Sequence, residues 1–125
     1  MNNAEKELFS KGVKYDTGKP EFSLLPPNAL LEMVENLTFG AQKYSRDNWR
    51  KVPDAKRRYF DAAMRHLWAW KMDERFDPEN HLHHLAAAAV NIMFILELDL
   101  ADVSSWREAT EGVQPLDSIP VEKQP

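Results

Sequence analysis

Residues 85–96 form an apolar run interrupted only by Asn91, and this run constrains the fold more than any other feature of the sequence. A helix that is apolar on every side has to be covered, so we expect this one at the centre of the molecule, packed against neighbouring helices or a partner chain. The run ends at Glu97 and is shorter than the roughly 20 residues that a membrane span requires. It therefore predicts a central core helix.

The start of this helix is predicted from the letters DPE at 77–79. An acidic cap, a proline in the first turn and a second acid near the positive end of the helix dipole are typical of a helix N-terminus. We therefore predict that the central helix covers residues 77–102.

Two further helices are predicted over residues 28–44 and 55–72, because apolar residues recur there at helical spacing. The inner stripes would be formed by Leu30, Val34, Leu37, Ala41 and Tyr44 in the first helix, and by Phe60, Ala63, Leu67 and Trp70 in the second. Asp54 is the expected N-cap of the second helix. With only 4 glycines and few β-branched runs, an all-β fold is disfavoured.

The predicted fold class is all-α: a small bundle of three to four helices with a long N-terminal loop and an extended C-terminal tail. Residues 1–12 are expected to be a weakly helical lead-in, residues 13–104 the helical domain, and residues 105–125 an extended or disordered tail. The segment 14–27 contains 3 prolines and a glycine and should be an ordered loop.

Charge and composition narrow the classes of function. The net charge of −4 combines a basic first half with an acidic second half, which does not favour binding of duplex nucleic acid. The chain has 0 cysteines, which excludes disulfides and thiolate metal sites. Its first residues do not resemble a signal peptide, and we expect a cytoplasmic protein that does not bind a membrane.

Polar residues on the predicted central helix are the first functional candidates. Asp77, His81, His84 and Asn91 would share one face because they recur every three or four residues. Buried without partners, each would cost about 1–3 kcal/mol. The alternatives are that His81 and His83 face solvent, that His84 caps a loop, and that Asn91 is a satisfied structural residue.

Carboxylates and a further histidine suggest a metal site. If the second and third helices are antiparallel, His66 and Glu74 would lie near Asp77 and His84, and these four are the catalytic candidates. Glu74 and Asp77 are also metal-ligand candidates. The first helix adds Glu32 and Glu35 to the metal candidates, although two glutamates at this spacing are usually a solvated face. Oxygen donors in a chain without cysteine favour Mg²⁺ or Mn²⁺.

An aromatic and basic segment, KYSRDNWRK at 43–51, suggests nucleotide binding. Lys43 is a candidate for contacts to phosphates, Tyr44 and Trp49 for stacking on a base, and Asn48 for hydrogen bonding to a base edge. The alternative for Trp49 is a place in the core. Lys14 and Lys19 form a second pair that could contact phosphates.

Five segments, in this order and spacing, resemble the phage dATP/dGTP diphosphohydrolase family, which is related to the MazG-like all-α nucleoside triphosphate pyrophosphohydrolases. They are KYDTGKPEFSLLPP, LTFGAQKYSRDNW, AAMRHLWAW, DERFDPE and HLAAAAVNIMFILEL, and the resemblance extends over about residues 12–100. The resemblance implies a dimer or tetramer that hydrolyses a purine deoxynucleoside triphosphate to monophosphate and pyrophosphate with divalent ions. Arg65, in the third segment, and Asn91 join the nucleotide-binding candidates, and a phage-encoded chain would act in the host cytoplasm.

The sequence departs from the family pattern at one site histidine. Where a GLPHLAHA-like motif is expected, the chain reads HLHHLAAA, so that Ala87 replaces the second histidine and His81 a glycine. Three hypotheses therefore stay open: the hydrolase, a nucleotide-binding phage protein that sequesters a host immune signal without cleaving it, and a structural helical oligomer. We also expect chains to pair through the second and third helices, with Trp106 as a candidate contributor to a neighbour's site.

Overall fold

The computed structural model describes residues 2–109, without the side chains of Leu8, Phe9 and residues 104–109. Residues 2–22 and residues 23–109 fall into separate compact units. In the first unit, helix α1 (Asn3–Ser10) begins with a capping box: the Glu5 backbone N–H donates to Asn2 Oδ1 at 2.8 Å, and the Asn2 N–H donates to Glu5 Oε2 at 3.0 Å. Gly12, at φ +73°, follows the helix in a left-handed conformation.

The second unit is built from three helices: α2 (Pro27–Lys43), α3 (Ala55–Lys71) and α4 (His84–Ala109). Short 3₁₀ turns occur at Phe22–Leu24 and Asn48–Lys51. Within residues 2–109 the backbone forms no strand, only an isolated bridge between Phe76 and His83. The predicted all-α bundle is confirmed. The side chain of Trp106 and the whole of residues 110–125 lie outside the part of the chain that the structure describes.

Helices α2 and α3 occupy the predicted segments because the local sequence sets their ends. Pro26 and Pro27 suit the first turn of α2, where a backbone N–H has no helical partner. Asp54 directly precedes α3 as predicted, but it adopts φ +53° and its side chain makes no cap hydrogen bond to the backbone. Its carboxylate instead accepts a hydrogen bond from Arg57 Nε.

Helices α3 and α4 pack antiparallel. Lys56, at the start of α3, forms ion pairs with Asp99 and Asp102 far along α4, whereas His66 lies beside His84 at the first residue of α4. The buried apolar residues of α3 and α4 are small, and small side chains allow packed helices to approach closely. They are Ala63, Ala86, Ala87, Ala88 and Val90.

The prediction that the central helix begins at Asp77 is wrong, because residues 72–83 form a loop with its own hydrogen bonds. The Asp77 carboxylate accepts from the Glu79 N–H at 2.9 Å, and Asn80 Oδ1 accepts from the Leu82 N–H at 3.0 Å. His81 has φ +62°, which a right-handed helix does not allow. Such side-chain contacts two residues along the chain compete with the helix, which starts only at His84.

Large apolar side chains remain exposed on α3 and α4. Phe60, Met64 and Trp68 form one stripe at a spacing of four residues, and Trp68 is 65% exposed. On α4, Ile92, Leu96 and Leu100 form a second stripe. The predicted inner stripes are only partly covered by the described residues: Ala63 is buried, whereas the exposed members are Leu30, Val34, Tyr44, Phe60 and Trp70. Among the helices described, none has the length and apolarity that crossing a membrane requires.

Candidate functional site

His66 on α3 and His84 on α4 are in direct contact through their imidazoles. Their Nδ1 atoms are 2.9 Å apart and their ring centroids 5.1 Å apart. The contact follows from the packing of the helices, because His66 lies one turn after the buried Ala63 and His84 one turn before the buried Ala87 and Ala88. His84 is only 4% exposed, and a buried imidazole requires polar partners.

Glu74 supplies the second partner of His84. Its Oε1 lies 2.7 Å from His84 Nε2, although the glutamate itself is about half exposed. Because a carboxylate only accepts, His84 Nε2 carries the hydrogen and donates it to Glu74. In neutral His84 the Nδ1 atom then has a free lone pair, which accepts a hydrogen bond from His66 Nδ1–H.

Asp77 completes the cluster from the loop that precedes α4. Potential ligand atoms of His66, Asp77 and His84 all lie within 4.8 Å of one another. The predicted grouping of His66, Glu74, Asp77 and His84 is thus found in the structure, although Asp77 reaches it from a turn and not from a helix face. His66, Asp77 and His84 come from three separate segments of the chain, which is typical of a site that is assembled by the fold.

The environment favours neutral His66. Burial lowers the pKa of His66 below its usual 6.5, and nearby His84 lowers it further, while Asp77 has a smaller opposing effect. At neutral pH the His66 imidazole therefore has a lone pair available to a proton or a metal ion.

A cleft of about 880 Å³ lies between α2, the Asn48–Lys51 turn, α3 and α4, and His66 is part of its wall. The cleft and the histidine cluster are therefore contiguous. Its positively charged lining residues are Arg46, Arg57, Arg58 and Arg65, and Asp61 is the one acidic residue among those lining it. Such a lining provides a strongly positive environment for an anion.

The arginines differ in how far their charges are already paired. Arg57 forms ion pairs with Asp54 and Asp61. In contrast, Arg46 and Arg65 have no carboxylate of the described residues within ion-pair distance. Both remain available to a ligand's phosphates.

Aromatic side chains form one wall of the cleft. Trp49 stacks on Phe94 with centroids 4.5 Å apart and an interplanar angle of 12°, and Tyr59 contacts the same Phe94 ring at 5.1 Å. The Tyr59 hydroxyl donates to the Trp49 carbonyl at 3.0 Å, and burial raises the Tyr59 pKa above its usual 10.0. Tyr44, which also lines the cleft, is 64% exposed, so its ring is accessible for stacking on a base.

Five of the predicted nucleotide-binding residues line the cleft: Tyr44, Asn48, Trp49, Arg65 and Asn91. Asn91 is half buried, and its Nδ2 donates to the Ala87 carbonyl at 2.7 Å, which leaves Oδ1 for another donor. Lys43 instead forms an exposed ion pair with Glu79 at 2.8 Å.

The other predicted residues lie elsewhere. Lys14 and Lys19 are exposed in the first unit. Glu32 is half buried and Glu35 exposed on α2, and neither belongs to the metal-ligand cluster found among the described residues.

Sequence reasoning missed Arg58, Tyr59 and Phe94 as parts of the cleft. The sequence patterns place Arg58 and Tyr59 only in the predicted second helix, and Phe94 only in the apolar run of the predicted core helix. A signal was present, because Arg58 and Arg65 are two helical turns apart and therefore share one face of α3.

All these residues lie within the segment that matches a known family. The family model described as dATP/dGTP diphosphohydrolase, N-terminal, matches residues 10–110. The chain belongs to this family. A curated relative from Salmonella phage PMBT28, named dATP/dGTP diphosphohydrolase, is 36% identical over 107 residues, which cover 82% of this chain. The chain matches only 36% of that relative's length. No solved structure matches it significantly.

Proposed function

We propose that this protein hydrolyses purine deoxynucleoside triphosphates, dATP or dGTP, to the monophosphate and pyrophosphate in the cleft, with a divalent ion, Mg²⁺ or Mn²⁺. The observation that carries the proposal is the continuity of a basic, aromatic-lined cleft with the cluster of His66, Asp77 and His84. The name of the phage relative supports the substrate class.

The cleft has the features that a nucleoside triphosphate requires. Its volume of about 880 Å³ lies in the range of small-molecule sites. Arg65 is adjacent to His66 on α3, so phosphates bound by Arg65 would lie beside the histidine cluster. Arg46 and Arg58 offer further donors to the phosphate oxygens, where charge increases during hydrolysis.

The opposite part of the cleft suits a base. The exposed Tyr44 ring offers a stacking surface, while Trp49 is held by its contact with Phe94. Asn48 and the free Oδ1 of Asn91 could distinguish purines by hydrogen bonds to their edges. A ligand extending from Tyr44 to His66 would orient its triphosphate toward the cluster.

The donor set in the cluster fits a divalent ion. When bound, such an ion supplies an activated water and neutralises phosphate charge. The protein's own residues then divide the work: His66, His84 and Asp77 hold the ion, Glu74 orients the His84 ring, and the arginines bind and align the phosphates.

The test is to incubate the full chain with a panel of ribo- and deoxynucleoside triphosphates and Mg²⁺ or Mn²⁺, and to separate the products by chromatography. We expect monophosphate and pyrophosphate from dATP or dGTP, with loss of product in EDTA and in Asp77→Asn. Release of inorganic phosphate, or no product from any nucleotide with any metal, would overturn the proposal.

Ala87 favours a second candidate function, in which the nucleotide is bound and sequestered without cleavage. Ala87 is buried one turn after His84, where the resemblance leads us to expect a second histidine. Among the described residues the cluster contains one carboxylate, from Asp77. Stoichiometric binding with intact nucleotide recovered afterwards would support this function over hydrolysis.

We also propose that the protein is a homo-oligomer. The exposed stripes on α3 and α4 run along adjacent antiparallel helices, and no large side chain of the described residues is fully buried. Apolar surface of this extent is typical of an interface. A second chain packed on these stripes would bury Trp68 and Leu96.

A further inference from the structure

We propose that His66, His84 and Asp77 are the direct ligands of the metal ion, with Glu74 as the outer carboxylate, and that this site selects Mn²⁺ or a similar transition metal over Mg²⁺. The inference deepens the proposed function by assigning its metal. It concerns ion binding alone, so it can be tested without a nucleotide.

The spacing of the imidazoles suits one ion. Two ligands on bonds of about 2.1 Å that meet at a right angle are about 3.0 Å apart. The His66 and His84 Nδ1 atoms are separated by 2.9 Å, and a potential ligand atom of Asp77 lies within 4.8 Å of those of both histidines. Only a modest movement of the exposed 72–83 loop would bring the Asp77 carboxylate to ligand distance.

The hydrogen bond from His84 to Glu74 determines which nitrogen faces the ion. With Nε2–H donated to Glu74 at 2.7 Å, the His84 lone pair lies on Nδ1, on the side of His66. This carboxylate–histidine arrangement is the usual outer partner of a metal-bound imidazole, and it makes the imidazole a stronger donor. For His66 to bind the same ion, its hydrogen has to move from Nδ1 to Nε2, which is a change of tautomer without loss of a proton.

The donor types argue against Mg²⁺ as the resident ion. Mg²⁺ prefers six oxygen ligands and retains its water, whereas imidazole nitrogen suits first-row transition metals. Two of the three potential ligands here are imidazoles, and Asp77 is the one carboxylate in this set among the described residues. The proposed site is thus a mixed nitrogen and oxygen site, in contrast to the hard-cation site of Glu32, Glu35, Glu74 and Asp77 that the sequence led us to expect.

The experiment measures Mn²⁺ binding to the EDTA-treated full chain by electron paramagnetic resonance, without nucleotide. We expect one tightly bound ion per chain that persists in a large molar excess of Mg²⁺. Electron spin echo modulation should show coupling to imidazole nitrogen. Affinity should fall about 10- to 100-fold in Glu74→Gln, and at least as much in His66→Gln and Asp77→Asn.

His81→Asn is the matched control, because His81 is an exposed histidine on the same loop and asparagine tolerates its positive φ. Circular dichroism verifies that each variant is folded. If His66→Gln and Asp77→Asn do not fold, the presence or absence of nitrogen coupling in the unmodified chain tests whether the imidazoles bind the ion. Mn²⁺ binding without nitrogen coupling, binding unchanged in the folded variants, equal displacement by Mg²⁺, or no binding would each overturn the inference. Tight Mn²⁺ binding by a chain that cleaves no nucleotide would instead refute only the proposed function.

Discussion

Replacing Arg65 by alanine should weaken triphosphate binding far more than replacing Arg57, although both arginines line the cleft. Arg65 has no carboxylate partner among the described residues, so its full charge is available to a phosphate. A hydrogen bond to a charged group contributes about 1.5–3 kcal/mol, so loss of Arg65 should raise the Kd about 10- to 150-fold. The charge of Arg57 is already paired with Asp54 and Asp61, so loss of Arg57 should raise the Kd far less than loss of Arg65.

The assay is isothermal titration calorimetry with a non-hydrolysable dATP or dGTP analogue and with the corresponding deoxynucleoside. The Arg65→Ala defect should be large for the triphosphate, absent for the nucleoside, and smaller at high salt, because ions screen the interaction. Arg57→Ala is the control for general changes in the charge of α3. Equal losses in both variants, or an equal loss for the nucleoside, would show that Arg65 does not contact the phosphates.

Three other predictions concern the supporting structure. The Phe94→Leu substitution removes the ring contacts to Trp49 and Tyr59 and should lower the Tm by at least about 4 °C. The control, Phe22→Leu, changes an exposed ring and should leave the Tm unchanged. Equal melting curves of the two variants by circular dichroism would contradict this prediction. Light scattering should give an oligomeric mass that becomes monomeric in Trp68→Glu, and a monomeric unmodified chain would end the oligomer proposal. In the metal-free protein, the Tm should fall as the pH is lowered from about 7.5 to about 5.5. The reason is that the His66 pKa is lower in the folded protein, so the unfolded chain binds the proton more tightly. The His66→Gln variant should show a smaller decrease in Tm over the same pH range.

The helices could be predicted where local signals and packing agree. Prolines set the start of α2, and helical periodicity was sufficient for α3. The start of α4 could not be predicted in the same way, because the letters DPE also suit a turn. The turn is favoured over the helix by the Asp77 and Asn80 side chains, which accept hydrogen bonds from backbone N–H groups two residues ahead. The left-handed conformation of His81 also prevents a helix there.

The candidate site could be predicted only in part, because helix packing follows from the sequence pattern more directly than side-chain contacts do. An antiparallel arrangement of α3 and α4 is enough to bring His66 near His84, and the sequence favours that arrangement. The sequence does not show that Glu74 bonds to His84, or that Arg57 but not Arg65 has a carboxylate partner among the described residues. These contacts depend on side-chain directions at helix ends and in turns. Tertiary packing also gives Phe94 its place in the cleft wall, where sequence alone indicated only core.

The small buried residues of α3 and α4 affect how the two histidines can be positioned relative to each other. Ala63 and Ala88 have no functional group, yet each is almost fully buried on one of the two packed helices that bear His66 and His84. A single added methyl group there would have to push the helices apart or distort them, since a packed interior does not absorb extra volume freely. The alignment of the two imidazoles can therefore be altered by substitutions that leave every polar residue in place.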